Sequence, residues 1–338
     1  MKKKITIEKI KIRIWAKVVK LLRNTKLYPY LYRSYWHYLF SRKNYSVECA
    51  NLHYYTARPN PGAGIGHQMA NWIAGFWYAR IFGLQFAHIP FSNPKWEFFL
   101  GFGINEKKVQ DLKKIGYKVR KLPLFNEKDK KEVELNKKII QSYNKNKIIF
   151  MAEQDQFYEA QYEIMDELKN KFYSAPARKN DILIYSKENF NIAIHVRRGD
   201  IMANLNDPGM AKRYLSNLYF EKVLKQVIQH LTVVKPIHIY LFSQGKPEDF
   251  QEFATFPNLH WCLEMSAIES FMHFVYADLL ITSKSSFSYK PALLNNNLKL
   301  SPIPFWHGYP NCKQWILANS DGTISKEQLD KLSINAKQ

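Results

Sequence analysis

The sequence predicts an α/β protein built as two domains. From residue 191 onward, short apolar runs alternate with segments of helical periodicity, and that alternation specifies a parallel sheet flanked by helices. The 338 residues, 46% of them hydrophobic, are more than one core ordinarily organises. A breaker-rich stretch, Ser174-Ala175-Pro176 followed by Lys179-Asn180-Asp181, marks the boundary. We therefore read an N-terminal arm over 1–43, one α/β domain over 44–180 and a second over 181–338.

The arm is set apart by charge. Residues 1–43 hold 13 Lys/Arg against one acid, Glu8, whereas the rest of the chain holds 37 against 28. Ile7, Ile10, Ile14, Trp15, Val18, Leu21 and Leu22 recur at helical spacing, and Lys9, Lys11, Arg13, Lys17, Lys20 and Arg23 fill the other positions. Tyr28, Tyr30, Tyr32, Tyr35, Trp36 and Tyr38 follow. A basic amphipathic helix with interfacial aromatics suits an anionic membrane surface. The alternative is a helix packed on the body with a solvated basic face.

The first domain opens with a strand at Asn51 to Ala57. A Gly-rich loop follows, Pro59-Asn60-Pro61-Gly62-Ala63-Gly64-Ile65-Gly66-His67-Gln68. Met69, Trp72, Ile73, Phe76, Trp77, Arg80 and Ile81 then continue as a helix, and Gly83 stops it. Glycines between a strand and a helix let backbone N–H groups approach a phosphate or sugar at the helix start. The spacing matches neither the dinucleotide fingerprint nor the P-loop, so a plain tight turn is the other reading. Strands are expected at Leu84–Pro90, Lys118–Leu122 and Lys147–Ala152. Lys128–Lys145 reads as a solvated helix or loop, and Tyr158–Lys171 as a helix.

The second domain starts with the strand Asn191–Val196, which ends in His195-Val196-Arg197-Arg198-Gly199-Asp200. Arginine is costly to bury unless it meets an anion, and ligands of open α/β sheets sit at strand tips. The hexapeptide is therefore a phosphate-binding tip or a solvated turn. A helix over Tyr214–Gln229, strands at Ile237–Phe242 and Asn258–Leu263, a helix over Ala267–Ala277 and a strand at Leu279–Thr282 follow. Asp278 precedes that last strand. Ser283-Lys284-Ser285-Ser286 then leads into a helix from Phe287. Hydroxyls and free N–H groups at a helix start suit an anion, and a simple N-cap is the alternative.

Composition narrows the function classes. Cys49, Cys262 and Cys312 form no even set and have no metal-type spacing, against a disulfide scaffold or zinc site. No run of 18 apolar residues exists, and the N-terminus lacks a signal-peptide core. These features predict a cytoplasmic protein, peripheral on the inner face of the membrane. The net charge of +21 favours anionic partners, but no nucleic-acid module appears.

At this point the motifs carry a resemblance. The hexapeptide from His195 to Asp200 resembles the H-x-R-R-G-D motif of GDP-fucose-dependent fucosyltransferases, above all the α-1,2-fucosyltransferases of glycosyltransferase family 11 and their α-1,6 and protein O-fucosyltransferase relatives. Gly64-Ile65-Gly66-His67-Gln68-Met69 is similar to their Gly-x-Gly-Asn-Gln-Met loop, and Ser285-Ser286-Phe287-Ser288 to their late Ser-Ser/Thr-Phe-Ser element. The resemblance implies a GT-B fold, two Rossmann-like α/β domains facing a cleft. It implies inverting transfer of L-fucose from GDP-fucose to a glycan or lipid-linked glycan, with no metal or other cofactor and no nucleic acid partner. Synthesis of a bacterial surface polysaccharide or lipopolysaccharide is the expected setting.

By motif position, Arg197 would bind the β-phosphate, and His195 and Asp278 would hold the nucleoside. Ser285, Ser286 and Phe287 would line the pyrophosphate pocket, with Gly64, Gly66 and Gln68 approaching from the other domain. Arg198 belongs to the donor-binding set or only braces the strand tip. Glu97, Asp200 and His67 are candidates for the base. Two departures stand out: His67 replaces Asn, and Tyr289-Lys290-Pro291 replaces paired tryptophans. The rival readings are a GT-B transferase using another nucleotide sugar, a basic nucleic-acid-binding protein, and a membrane-associated lectin.

Overall fold

The computed structural model describes residues 7–41, 53–60, 62–143, 146–152 and 158–335. Cys49, Pro61 and the first residues of the expected strand at Asn51 lie outside them. In chain order the elements begin α1 (Ile7–Leu22), α2 (Arg33–Phe40), β1 (Tyr54–Ala57), α3 (Ile65–Ile81), β2 (Gln85–His88), α4 (Pro94–Leu100), β3 (Lys107–Lys108), α5 (Val109–Lys114), β4 (Lys118–Lys121), α6 (Lys130–Gln141) and β5 (Ile148–Ala152). They continue α7 (Met165–Ser174), β6 (Phe190–His195), α8 (Pro208–Ala211), α9 (Asn217–His230), β7 (Ile237–Phe242), β8 (Leu259–Cys262), α10 (Ala267–Tyr276), β9 (Leu279–Ile281), α11 (Ser286–Leu294), β10 (Leu298–Pro302), β11 (Trp315–Ala318) and α12 (Lys326–Asn335).

The chain forms two compact units that are discontinuous in sequence. One comprises the residues up to Arg58, Ala74–Ile89 and Glu106–Tyr158. The other comprises Pro59–Ile73, Pro90–Asn105 and Glu159 onward. The Gly-rich loop, the first half of α3 and all of α4 therefore belong with the C-terminal sheet.

The first unit holds a sheet of strand order β3-β2-β1-β5-β4 among the described residues. All its pairings are parallel, with Tyr54 opposite Gln85 and Ile149. The arm is docked on this unit by a defined set of side chains. Tyr28, Tyr32 and Ser34 are buried. The Tyr28 hydroxyl accepts from Leu124 N at 2.8 Å, and Ser34 Oγ donates to Lys121 O at 2.6 Å. Arg23 meets Glu132 through two bonds of 2.8 and 2.7 Å. His37 stacks on Tyr143 at 3.6 Å between centroids. Helix α6 turns Asn136, Ile139 and Ile140 inward, so the helix within the charged Lys128–Lys145 stretch, Lys130–Gln141, is half-buried rather than solvated.

The second unit holds a wholly parallel sheet of order β11-β10-β9-β6-β7-β8 among the described residues. The period-2 alternation of strands sorts β6 cleanly. Ile192, Ile194 and Val196 join Ile239, Leu241, Leu279 and Ile281 in a core with Phe220, Val223, Leu224 and Val227 of α9. The opposite face carries His195 and Phe242 against Phe274 of α10. Because the strands are parallel and in register, with His195 opposite Phe242 and Ile194 opposite Ile281, the loops after β6, β7, β9 and β10 all leave the same end. Adjacent strands lie about 4.8 Å apart, so these loops are close neighbours.

A candidate anion-binding site at the strand ends of the second sheet

The tip of β6 places each residue of the hexapeptide differently. His195 is 6% exposed. Its Nδ1 is hydrogen-bonded to Ser283 Oγ at 2.9 Å, and its ring lies between Phe274 and Phe287, 5.3 and 5.5 Å away. Burial, and then the charges of Arg197 and Arg198, push its pKa down to about 3, so the ring is neutral at physiological pH. Arg197 is partly exposed and donates from Nη2 to Asp200 Oδ1.

Arg198 turns the other way and is buried. Its Nη1 donates to Arg197 O at 2.8 Å and Leu215 O at 3.0 Å, and its Nη2 donates to Asn217 Oδ1. Tying three acceptors from two elements, Arg198 braces the strand tip. Gly199 has φ +65°, a left-handed conformation that favours glycine; the nearest obstacle to a Cβ is the flexible amide end of Gln244 in the loop after β7.

The second wall is the turn after β9. Thr282 Oγ1 donates to Ser301 Oγ at 2.9 Å, and Ser283 N donates to Ser288 Oγ at 3.2 Å. Ser285 is the N-cap of α11, with Phe287 N donating to its Oγ at 3.2 Å. Both readings of Ser285 thus meet here, since a capped helix start still directs N–H groups and the positive end of the helix dipole outward. Lys284 sits in the same turn, half-buried, and burial lowers its pKa.

The third wall comes from the Gly-rich loop. A Cβ on Gly66 would stand 2.6 Å from Ser286 C, 2.7 Å from Ser286 O and 2.9 Å from Phe287 N. Backbone therefore presses on backbone where α3 begins and α11 begins, and only glycine allows it. Gly64 has nothing within 4 Å of a built Cβ, so its position faces open space. Gln68 is a brace: Nε2 donates to Ala63 O at 2.8 Å and Ser92 Oγ at 2.7 Å, while Oε1 accepts from Ser92 N at 2.9 Å. Glu97 Oε2 accepts from Phe91 N at 3.0 Å, so Glu97 and Gln68 hold the same 90–92 segment from two sides. His67 is exposed on the first turn of α3.

The structure thus brings together His195, Arg197, Asp200, Gly66, Ser285, Ser286 and Phe287. It does not bring Asp278 to them. Asp278 precedes β9 at the amino end of the sheet, where Oδ2 accepts from Asn191 N at 2.8 Å and Asn191 Nδ2 at 3.0 Å. Four residues of extended chain, roughly 13 Å, separate it from Thr282. Its carboxylate fastens β6 to β9 and does not reach the strand tips, which corrects the expectation that it holds a nucleoside beside His195.

Sequence reasoning did not single out Ser283, the partner of His195, or Lys284, although both lie within the quoted turn. It also passed over His307, which follows β10 at the same end of the sheet and is 5% exposed with Nδ1 unpartnered. Burial, then Lys290 and His67, hold its imidazole far below the usual range, so it lies near the Gly-rich loop. The segment before it, Leu298–Pro302, carries Lys299 and Ser301 and does not read as a buried strand, so the local pattern leaves His307 unmarked. Among the described residues no group of three or more His, Cys, Asp or Glu comes together to hold a metal.

A buried neutral His, a half-free Arg, a Lys and a capped helix start at one end of a parallel sheet make these strand tips of an α/β protein the candidate site for an anion. No family model matches the sequence, and no curated protein matches it. Solved structures that it resembles include NodZ alpha-1,6-fucosyltransferase from Bradyrhizobium soaked with GDP-fucose, at 13% identity and a TM-score of 0.43, covering 72% of this chain and 93% of that one. POFUT1 in complex with GDP is another, at 12% identity and a TM-score of 0.43, covering 74% and 98%. The E. coli heptosyltransferase WaaC with ADP-2-deoxy-2-fluoro heptose is a third, at 9% identity and a TM-score of 0.39, covering 84% and 97%. Likenesses this partial leave the chain's own residues to carry its function.

Proposed function

We propose that the chain is an inverting glycosyltransferase that moves L-fucose from GDP-fucose to a hydroxyl of a glycan or lipid-linked glycan. The observation that carries this is the meeting of the His195–Asp200 tip with the Ser283–Phe287 turn, sealed by the backbone contact at Gly66. In this reading the diphosphate lies over the start of α11. Arg197, held by Asp200 through Nη2, directs its remaining N–H groups to the phosphate oxygens, and Lys284 supplies a second positive charge. GDP departs well only if its growing charge is stabilised, and an Arg held in place does this without a metal. The departing bond builds an oxocarbenium-like sugar, as in glycoside hydrolysis.

Neutral His195 serves the site as a hydrogen-bonding partner rather than a charge. His67 is the base that best fits the geometry. It is exposed next to Gly66, whereas Asp200 is paired with Arg197 and Glu97 holds Phe91 N. Base catalysis of this kind contributes typically 10²–10⁴-fold. Synthesis of a bacterial surface polysaccharide or lipopolysaccharide is the setting we assign.

The test is GDP release from GDP-fucose and from GDP-mannose over a panel of glycan acceptors, with EDTA in a parallel series. GDP-fucose-specific, EDTA-insensitive release, with an inverted anomeric centre in the product by NMR, is expected. Failure of both GDP sugars to release GDP would overturn the donor assignment.

A further inference from the structure

The docked arm has an outer face that the protein does not cover. Trp15, Arg23, Tyr28, Ser34 and His37 make its contacts with the rest of the first unit. Away from them, Ile14, Leu21 and Leu27 are 57%, 78% and 62% exposed, and Tyr30, Trp36 and Phe40 are 41%, 43% and 82% exposed. Ile14 and Leu21 stand seven residues apart, two turns along one side of α1. Trp36 stacks on Phe40 at 6.0 Å, packs edge-on to Tyr30 at 5.3 Å, and donates from Nε1 to Tyr30 O. These aromatics are held in place rather than waving on a tail. Lys17, Lys20, Lys26 and Arg33 are exposed among them, and residues 14–41 contain no Asp or Glu.

We infer that this outer face of α1, the turn after it and α2 is a docking surface for an anionic lipid bilayer. The charge settles the occupant. A protein partner would have to supply both a large apolar surface and every compensating acid, whereas an anionic leaflet offers headgroup charge directly above an apolar layer. Trp and Tyr belong at that boundary, with an apolar body and a polar edge. The arm thus has two jobs on two faces: one set of residues fixes it to the first unit, and the other rests on lipid. No helix among the described residues is long and apolar enough to cross a membrane.

The experiment is flotation of the full chain with vesicles of phosphatidylcholine alone and of phosphatidylcholine with about a third phosphatidylglycerol. Binding to the mixed vesicles only, weakened by salt, is expected. Phe40→Ser with Leu21→Ser should reduce that binding roughly tenfold or more. Lys17→Glu with Lys20→Glu should do so through charge alone while leaving the apolar residues intact. Neither pair touches the anion site, so GDP binding should be unchanged, and loss of the donor assignment would leave this result standing. Equal binding of the Lys17→Glu/Lys20→Glu variant to mixed vesicles would overturn the inference. So would absence of vesicle binding by the native chain, or a dimer in sedimentation that the same variants dissociate, which would assign the face to a second copy.

Discussion

Replacing Arg197 by alanine is the sharpest test of the donor site. The Arg197 guanidinium is paired with Asp200, and the two side chains are 27% and 53% exposed. A pair so open to water contributes under about 1 kcal/mol to stability. Arg197→Ala should therefore fold normally and melt within a few degrees of the native chain. Its effect on transfer should be far larger. A preorganised donor aimed at a developing oxyanion contributes about 2.7–4 kcal/mol, or 10²–10³ in kcat. Part of the loss comes from Asp200, whose carboxylate would be left facing the diphosphate. The double variant Arg197→Ala/Asp200→Asn should recover that part and no more. Rates of GDP release at saturating donor, with GDP affinity by calorimetry, measure the effect. Turnover of Arg197→Ala within threefold of native would refute the proposed role of the strand tip.

Gly66→Ala should cost about 1–3 kcal/mol in urea denaturation and abolish donor binding, because neither Ser286 nor Phe287 backbone can yield to a Cβ. Gly64→Ala, with open space around it, should leave donor binding nearly unchanged. His195, with its pKa lowered to about 3 from an ordinary 6.5, binds a proton more readily unfolded than folded. Its contribution is full above pH 6.5 and is lost as pH falls toward 3, by about 2 kcal/mol at pH 5. His195→Asn should flatten that part of the stability profile, and an unchanged profile would place the acid sensitivity elsewhere. His67→Gln should lower kcat 10²-fold or more without changing GDP affinity. Glu97→Gln, which keeps an acceptor for Phe91 N, should stay within about threefold of native. The reverse pattern would make Glu97 the base.

Strands β6, β7 and β9 were legible because their apolar runs are dense and turn residues bound them. The β10 strand was not. Lys299 and Ser301 give Leu298–Pro302 the look of an exposed segment, yet Lys299 is 2% exposed, its Nζ donating to Asn295 O and Asn297 O at 3.1 and 2.7 Å. A buried cation satisfied by carbonyls leaves no trace in a hydropathy pattern. Helix α3 begins at Ile65, ahead of the apolar periodicity that starts at Met69, for a related reason. Gly66 weakens helix propensity, but the contact with α11 requires it inside the first turn. At the site, motif order identified the segments that meet, since anion chemistry needs particular residue types. It could not distinguish a carboxylate at a strand's start from one at its tip, so Asp278 was grouped with the wrong end of β9. Nor could it tell which polar residues brace and which remain open. Gln68 and Arg198 are spent on neighbouring backbone and side chains, and only three-dimensional pairing reveals that.

The contact of Gly66 with Ser286 and Phe287 also governs when the site can exist. About 220 residues separate the two halves of that contact. At synthesis rates of about 5–20 residues per second, the Gly-rich loop waits roughly ten to forty seconds on the ribosome for its counterpart. Segments 59–73 and 90–105 emerge early yet pack with the last half of the chain, so they remain uncovered through most of translation. The Gly66 half of the contact emerges first, and a nascent chain halted before residue 286 would carry it without its counterpart, and so without the proposed donor site. The interval between those two events is where a chaperone would be needed.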